Sequence, residues 1–227
     1  MDLNLIVESY RKEIVSSTQE LVAIPSVKGE AHPGKPFGKD AYSALEYVLK
    51  LGDKMGFETK NVDGYAGHIQ FGQGEHTLGI LVHLDVVPAG GGWTYPPYGA
   101  EIHDRRIYGR GTIDNKGPAI AAFYAMEAVK QSGLPVNKNV RLILGTDEES
   151  GWKDMEYYFK HESMPDFGMS PDAQYPIINA EKGILQVALE KEFPRYEPHS
   201  IGIKSITGGQ RPNIVPDECI CVFLSST

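Results

Sequence analysis

The sequence predicts an α/β fold whose sheet is mostly parallel and flanked by helices. Three apolar runs, at 78–82, 140–145 and 167–169, are typical of buried strands, and each is followed by acidic or imidazole side chains. Stretches with helical spacing separate these runs, which is the alternation of parallel sheets. Open α/β sheets bind ligands at the carboxyl ends of their strands, so we expect the chemistry there.

Composition agrees with a folded protein and argues against two classes of partner. The 227 residues are 41% hydrophobic and 23% charged, which suits one large core, or one domain and part of a second. The net charge of -8 disfavours a nucleic-acid surface or an anionic membrane surface, and is compatible with a cationic ligand such as a metal ion. No apolar run approaches the ~20 residues that span a bilayer.

Two further features indicate a cytoplasmic location. The first ten residues lack a basic region followed by an apolar core, so they do not resemble a signal peptide. The two cysteines, Cys219 and Cys221, are too few for a disulfide framework. The Cys-x-Cys pair could bind a soft metal, but it is more simply explained as two positions on one face of a strand.

The first third of the chain is predicted to form two helices and a hairpin. Apolar residues recur at helical spacing in two stretches, and a Gly- and Pro-rich loop lies between them. The Asp63-Gly64 pair then favours a tight turn between two strands. The predicted elements are a helix at 5–22, a loop at 26–37, a helix at 41–55, and strands at 58–62 and 65–71.

The rest of the chain alternates strands and helices around the central strand at 78–82. A stretch rich in Gly and Pro follows it and is predicted to be an irregular loop. The predicted elements are a loop at 88–99, a hairpin at 100–102 and 106–108, a helix at 119–131, a strand at 140–145, a helix at 152–161, a strand at 167–169, and strand-like runs at 185–189, 201–206 and 219–224.

The central strand ends in His83 and Asp85. Residues two apart on an extended chain face the same side, so the two side chains can lie together. A carboxylate on the second ring nitrogen of a metal-bound histidine fixes its tautomer. A His-x-Asp triplet alone is more often a strand end with a surface ion pair, and Asp114 alone fits a helix N-cap equally well.

Several ionisable side chains are predicted at the same edge of the sheet. Imidazole mixed with carboxylates suits zinc, manganese or cobalt, and there are too many acids for one tetrahedral zinc ion. Two metal ions bridged by a carboxylate would use them. The converging residues are His83, Asp85, Asp114, Glu148, Glu149 and Asp172.

Ordered motifs in the sequence resemble a known enzyme family. The chain is similar from about residue 36 onward to the di-zinc metallopeptidases that include aminoacylase, carnosinase and succinyl-diaminopimelate desuccinylase. The resemblance is strongest to the PepV-type dipeptidases, because two further motifs, at 61–68 and 178–183, match that subtype. The family motifs lie at 83–90, 92–98, 109–117, 145–155 and 170–173.

The resemblance implies a zinc exopeptidase-like fold, two zinc ions, for which manganese or cobalt could substitute, and a cis peptide between Asp114 and Asn115. By the same resemblance, His83 and Asp172 would bind one zinc ion, Glu149 would bind the other, and Asp114 would bridge the two. Asp85 would orient His83, and Glu148 would act as the general base. Asn213 would contact the substrate.

The implied activity is hydrolysis of the peptide bond of a dipeptide by a metal-activated water, with Glu148 as general base. A deacylase of N-acyl amino acids would need the same metal ions, so it stays open as an alternative. A non-catalytic metal-binding remnant is the second alternative. A small peptide is therefore the expected partner.

The resemblance also divides the chain. Residues 1–182 correspond to the N-terminal part of a catalytic domain, and residues 183–227 to the start of an α+β lid domain. The family's last metal-binding histidine lies beyond this point, so we expect the chain alone to be an incomplete enzyme. Its sheet is expected to expose an unpaired edge that favours self-association.

Overall fold

The computed structural model describes two units of the chain. It describes residues 2–173, 177–178 and 180, together with the backbone of the two strands at 201–208 and 219–225. The first unit spans Met1–Tyr175 and the second spans Pro176–Thr227. The expected division at residue 182 stays a prediction.

The first unit contains five helices and seven strands among its described residues. The helices are α1 (Leu3–Ser9), α2 (Arg11–Val22), α3 (Lys39–Lys54), α4 (Lys116–Ser132) and α5 (Lys153–His161). The strands are β1 (Glu58–Val62), β2 (Ala66–Phe71), β3 (Thr77–His83), β4 (Glu101–His103), β5 (Arg106–Tyr108), β6 (Asn139–Gly145) and β7 (Phe167–Met169).

The prediction of one continuous first helix is wrong, because the chain turns at Tyr10 between α1 and α2. The ring of Tyr10 packs at 5.5 Å from that of Tyr124, and its hydroxyl donates to Glu127 at 3.2 Å. Both partners lie on α4, so a contact remote in sequence decides the break, and local periodicity carries no sign of it.

The central sheet has the strand order β1-β2-β6-β3-β7. β3 pairs in parallel with β6 and β7, while β2 pairs antiparallel with β1 and β6. Four of the five strands therefore run in the same direction, and only β2 is reversed. The predicted α/β class with a mostly parallel sheet is confirmed.

Alternating side chains of β6 give the sheet a core on each face. Leu142 and Leu144 belong to the larger core, which packs against α2, α3 and α4. Ile143 points to the opposite face, where Met155 and Tyr158 of α5 cover it. This two-sided burial explains why residues 142–144 of the strand are continuously apolar.

The second unit contains an antiparallel pair of strands, β8 (Ile201–Gly208) and β9 (Cys219–Ser225). They confirm the strands predicted at 201–206 and 219–224. The predicted strand at 185–189 and the expected substrate residue Asn213 lie outside the described residues. Within the described part of the chain, every helix is too short or too polar to cross a lipid bilayer.

Candidate metal centre

The parallel strands bring three chemical segments to one edge of the sheet. β3 ends at His83, β6 ends at Gly145 shortly before Glu148, and β7 ends at Met169 shortly before Asp172. Because β3 runs parallel to both neighbours, the three carboxyl ends face the same way. His83, Glu148 and Asp172 also line one small cavity.

His83 lies at the middle of a group of carboxylates. Its Nε2 atom is 2.9 Å from Oδ1 of Asp114, 3.5 Å from Oδ2 of Asp172 and 4.0 Å from Oε2 of Glu148. His83, Asp114 and Asp172 each offer one ligand atom, and these atoms lie within 4.8 Å of one another. An imidazole nitrogen with carboxylate oxygens is the donor set that zinc, manganese and cobalt accept.

Asp114 is therefore placed beside His83 and does not cap α4. The N-cap position belongs to Asn115, whose side chain makes no capping bond, and the helix begins at Lys116. The peptide between Asp114 and Asn115 is cis. This agrees with the cis bond that the sequence resemblance implies.

Asp85 holds both the histidine and the loop after β6. Nδ1 of His83 lies 3.0 Å from the backbone oxygen of Asp85 and 3.4 Å from its carboxylate. The two carboxylate oxygens accept the backbone N–H groups of Glu148 at 3.2 Å and Glu149 at 3.1 Å. Asp85 thus orients the imidazole largely through its backbone carbonyl, and its carboxylate also positions the two glutamates.

Glu149 is placed on this loop beside Glu148. Among the described residues, the group of close ligand atoms consists of His83, Asp114 and Asp172, and Glu149 lies outside it. The structure therefore brings together three of the four expected metal ligands around one point. Binding of a second metal ion by Glu149 and Asp114 stays a prediction.

Asn115 is a site residue that the sequence reasoning did not identify. It is fully buried, and its amide nitrogen donates to Oδ1 of Asp172 at 2.7 Å and to the backbone oxygen of Pro171 at 3.1 Å. Its amide oxygen accepts the backbone N–H of His83 at 3.3 Å. Asn115 therefore joins the ends of β3 and β7. Its position directly after Asp114 was the only signal in the sequence.

The charges around His83 favour a cation at its Nε2 atom. Burial opposes protonation of the ring, but hydrogen bonds with Asp114 and Asp85, and the charges of Asp85 and Asp172, outweigh burial and raise the pKa of His83 to about 11. The hydrogen bond from His83 lowers the pKa of Asp114. This point of the site holds a positive charge, which is what a metal ion supplies.

Two other carboxyl groups have raised pKa values. Burial raises the pKa of Glu148 to about 7, and the charges of Glu149, Asp172 and Asp85 add to this effect, while His83 opposes it. Burial also raises the pKa of Asp172. Raised values are expected where several acids share a partly buried site, and they mark Glu148 as a group that can exchange a proton near neutral pH.

The fold and this edge of the sheet define a class of α/β protein with a metal-binding donor set. Comparison with known families is more specific, because the model for "Peptidase family M20/M25/M40" matches residues 79–214. That match covers more than half of the chain, so the chain belongs to this peptidase family.

Curated relatives support the same family. "Putative dipeptidase YtjP" of Bacillus subtilis (strain 168) is 51% identical over 227 aligned residues, which cover 97% of this chain and 49% of the relative. "Beta-Ala-Xaa dipeptidase" of Lactobacillus delbrueckii subsp. lactis is 44% identical over 190 residues, covering 82% of this chain and 40% of the relative. The chain spans about half the length of the curated relatives it matches.

Solved structures show the same fold. Human carnosine dipeptidase 1 matches with a TM-score of 0.64 and 23% identity, covering 77% of this chain and 42% of that protein. The di-peptidase Dug1p of Saccharomyces cerevisiae matches with a TM-score of 0.60 and 20% identity, covering 70% of this chain and 36% of that protein. The likeness concerns the architecture.

Proposed function

We propose that this chain carries the metal-binding part of a cytoplasmic dipeptidase, which hydrolyses the peptide bond of small peptides. The observation that carries the proposal is the group of His83, Asp114 and Asp172, whose ligand atoms lie within 4.8 Å of one another. Membership of a peptidase family supports hydrolysis as the reaction. The scarcity of cysteines supports a reducing compartment.

The residues present fit a divalent metal ion at His83, Asp114 and Asp172, and we propose a second ion beside it. The site has a single imidazole among several carboxylates, and without a metal ion the histidine itself is held in its charged form. His83 and Asp172 would hold one zinc ion, Glu149 the other, and Asp114 would bridge them. Manganese or cobalt would suit the same donors. Bound metal ions would lower the pKa of a water molecule and stabilise negative charge on the substrate.

Glu148 is the residue proposed to move the proton. Its pKa of about 7 allows it to accept a proton from water in the ionised form and to return that proton to the leaving amine. The Asp85 carboxylate accepts the backbone N–H of Glu148, and this hydrogen bond fixes the backbone from which the glutamate side chain extends. Asp85 would act by orienting His83 and both glutamates.

A dipeptide is the proposed substrate. The name of the Lactobacillus relative, "Beta-Ala-Xaa dipeptidase", supports this class over an N-acyl amino acid. Asn213 is proposed to contact the substrate from the lid domain proposed for residues 183–227. The catalytic unit would occupy residues 1–182.

Metal analysis and two classes of substrate test the proposal. Purified protein loaded with zinc should retain the metal after gel filtration, and His83→Ala should lose most of it. His76→Ala is the matched control, because His76 lies just before β3 at the opposite end of the strand. Equal metal content in the wild type and His83→Ala would refute the metal centre.

Hydrolysis assays with free dipeptides and N-acetyl amino acids then separate the two activities. We expect release of amino acids from dipeptides in the presence of zinc or manganese. Cleavage of N-acetyl amino acids alone would identify a deacylase. A metal-loaded protein that cleaves neither class would indicate a metal-binding protein without this activity.

A further inference from the structure

Asp154 is a buried carboxylate in the first turn of α5, outside the residues assigned to the metal centre. Its exposure to solvent is 0%. Oδ2 accepts the backbone N–H groups of Thr146 at 2.7 Å and Asp147 at 3.0 Å, and Oδ1 accepts that of Met155 at 2.7 Å. The carboxylate therefore ties the start of α5 to the first two residues after β6.

The segment that Asp154 holds is the loop carrying Glu148 and Glu149. The N–H groups of Glu148 and Glu149 donate to the Asp85 carboxylate. Asp147 accepts the next four: its backbone oxygen accepts those of Ser150, Gly151 and Trp152, and its Oδ2 atom accepts that of Lys153. Every backbone N–H from 146 to 153 thus has an acceptor, and carboxylates supply five of the eight bonds.

The local sequence is adapted to the close approach of Asp154. A Cβ atom added at Gly145 would lie 2.8 Å from Oδ2 of Asp154, closer than a methyl carbon and an oxygen can pack. Gly145 is the last residue of β6 and the partner of His83 in the sheet. A glycine at this point allows the carboxylate to reach the loop.

The buried carboxylate is costly, which argues that it has a specific task. Burial raises the pKa of Asp154 to about 6, although its three backbone hydrogen bonds oppose the rise. Lys28, a cation beside this loop, pairs with Asp147 at 2.7 Å and not with Asp154. An apolar side chain would avoid this cost but would leave three buried N–H groups without this acceptor.

We propose that Asp154 is a positioning residue for the Glu148–Glu149 pair. By fixing the backbone of residues 146 and 147, it sets the path of the loop as it leaves the sheet. That path in turn sets the backbone positions of Glu148 and Glu149. The inference rests on the proposed function, because it concerns the same metal centre. Asp154 itself would touch neither metal ion nor substrate.

Asp154→Asn is the direct test, because an amide offers one acceptor oxygen where the carboxylate offers two. In either orientation its NH₂ group would face a backbone donor, so at least one of the N–H groups of Thr146, Asp147 and Met155 loses its acceptor and the tie between α5 and the loop is broken. We expect faster amide exchange at 146–149 and at least a tenfold loss of Co²⁺ affinity in a titration followed by visible absorption. Asp166→Asn is the control: Asp166 also accepts a backbone N–H, from Thr77 at 2.8 Å at the start of β3, and we expect less than a twofold change.

A double mutant tests whether Asp154 acts through Glu149. In the Glu149→Gln background, Asp154→Asn should change Co²⁺ affinity by less than twofold, because the ligand that it positions is already lost. The same loss in both backgrounds would refute the positioning role. Gly145→Ala, which displaces the carboxylate without removing its charge, should also accelerate exchange at 146–149, so the proposal can be tested even if Asp154→Asn does not fold.

The controls separate this inference from the proposed function. If the wild-type protein binds no Co²⁺, the proposed metal centre fails. If the wild type binds Co²⁺ and folded Asp154→Asn binds it equally well with unchanged exchange at 146–149, only the role of Asp154 is refuted.

Discussion

The Nε2 atom of His83 lies 2.9 Å from Oδ1 of Asp114, and this contact requires a proton between the two atoms. A neutral ring carries a single N–H, but Nδ1 also faces an acceptor, the backbone oxygen of Asp85 at 3.0 Å, so both contacts are hydrogen bonds only when the ring carries two protons. The surrounding carboxylates stabilise the protonated ring: burial lowers the pKa of His83, but the carboxylates outweigh it and raise the pKa to about 11. A metal ion bound by the same two atoms must displace the proton.

Metal binding is therefore expected to release protons. At pH 7 His83 is protonated in the metal-free protein, and its ring must become neutral to bind a metal ion. We expect about one proton to be released per metal ion bound at His83, and the affinity to rise about tenfold per pH unit between pH 6 and 8. Calorimetric titrations with zinc in buffers of different ionisation enthalpy measure the number directly. An affinity independent of pH would contradict direct ligation by His83.

Glu148→Gln should abolish most hydrolysis while leaving the metal content unchanged. The glutamine cannot accept a proton from water, and loss of a general base costs about 10²–10⁴ in rate. Steady-state assays on a dipeptide, with metal analysis of the same sample, measure both properties. Asp147 is not a substitute base, because its buried carboxylate pairs with Lys28 at 2.7 Å. A variant with near-normal turnover would remove Glu148 from the mechanism.

Asp85→Asn should weaken metal binding by about 10–100-fold, as is typical when a partner behind a metal ligand is lost. Its two oxygens accept N–H groups from Glu148 and Glu149, and an amide can serve only one of them. Zinc affinity measured by competition with a chelator gives the change. Asp53→Asn is the control, because Asp53 is an exposed carboxylate that accepts the hydroxyl of Thr59. Equal losses in both variants would indicate a non-specific effect of charge.

Much of the fold and part of the site could be predicted from the sequence, because they depend on the spacing of apolar residues and on the direction of the strands. Mainly apolar runs identified β3 and β6, and parallel pairing then places His83, Glu148 and Asp172 at one edge. The side chains that hold this edge together could not be found in the same way. Asn115 and Asp154 each make several hydrogen bonds, most of them to segments remote in the sequence or to backbone groups, and such bonds leave no periodic pattern in the sequence.

The edge strand β7 predicts self-association. In the described five-stranded sheet β7 pairs only with β3, and Phe167 and Met169 on it are 52% and 55% exposed. Apolar edge strands tend to pair with other chains. We expect a concentration-dependent increase in sedimentation coefficient that Phe167→Lys reduces. Leu134→Lys is the matched control, because Leu134 is 51% exposed but lies between α4 and β6. Identical sedimentation of both variants and the wild type would exclude this edge as the interface.

His68 should make the stability of the first unit depend on pH below neutrality. Its Nδ1 atom lies 2.8 Å from the hydroxyl of Tyr158 inside the sheet–α5 core. Burial raises the pKa of Tyr158 to about 12, so the hydroxyl keeps its proton and can donate it to the neutral ring. Burial, aided by the charges of Arg141 and Lys60, lowers the pKa of His68 from its ordinary value of 6.5 to about 4.

The sign of the effect follows from these two values. The folded protein binds a proton at His68 less readily than the unfolded chain, so the contribution of the neutral ring is complete above pH 6.5 and is lost as the pH falls through 4. At 1.36 kcal/mol per pKa unit the total is about 3 kcal/mol. Urea unfolding at pH 7.5, 5.5 and 4.5 should therefore show a steeper decline in the wild type than in His68→Gln. His161→Gln, at an exposed histidine of α5, should keep the wild-type slope, and parallel declines in all three proteins would assign the pH dependence to other groups.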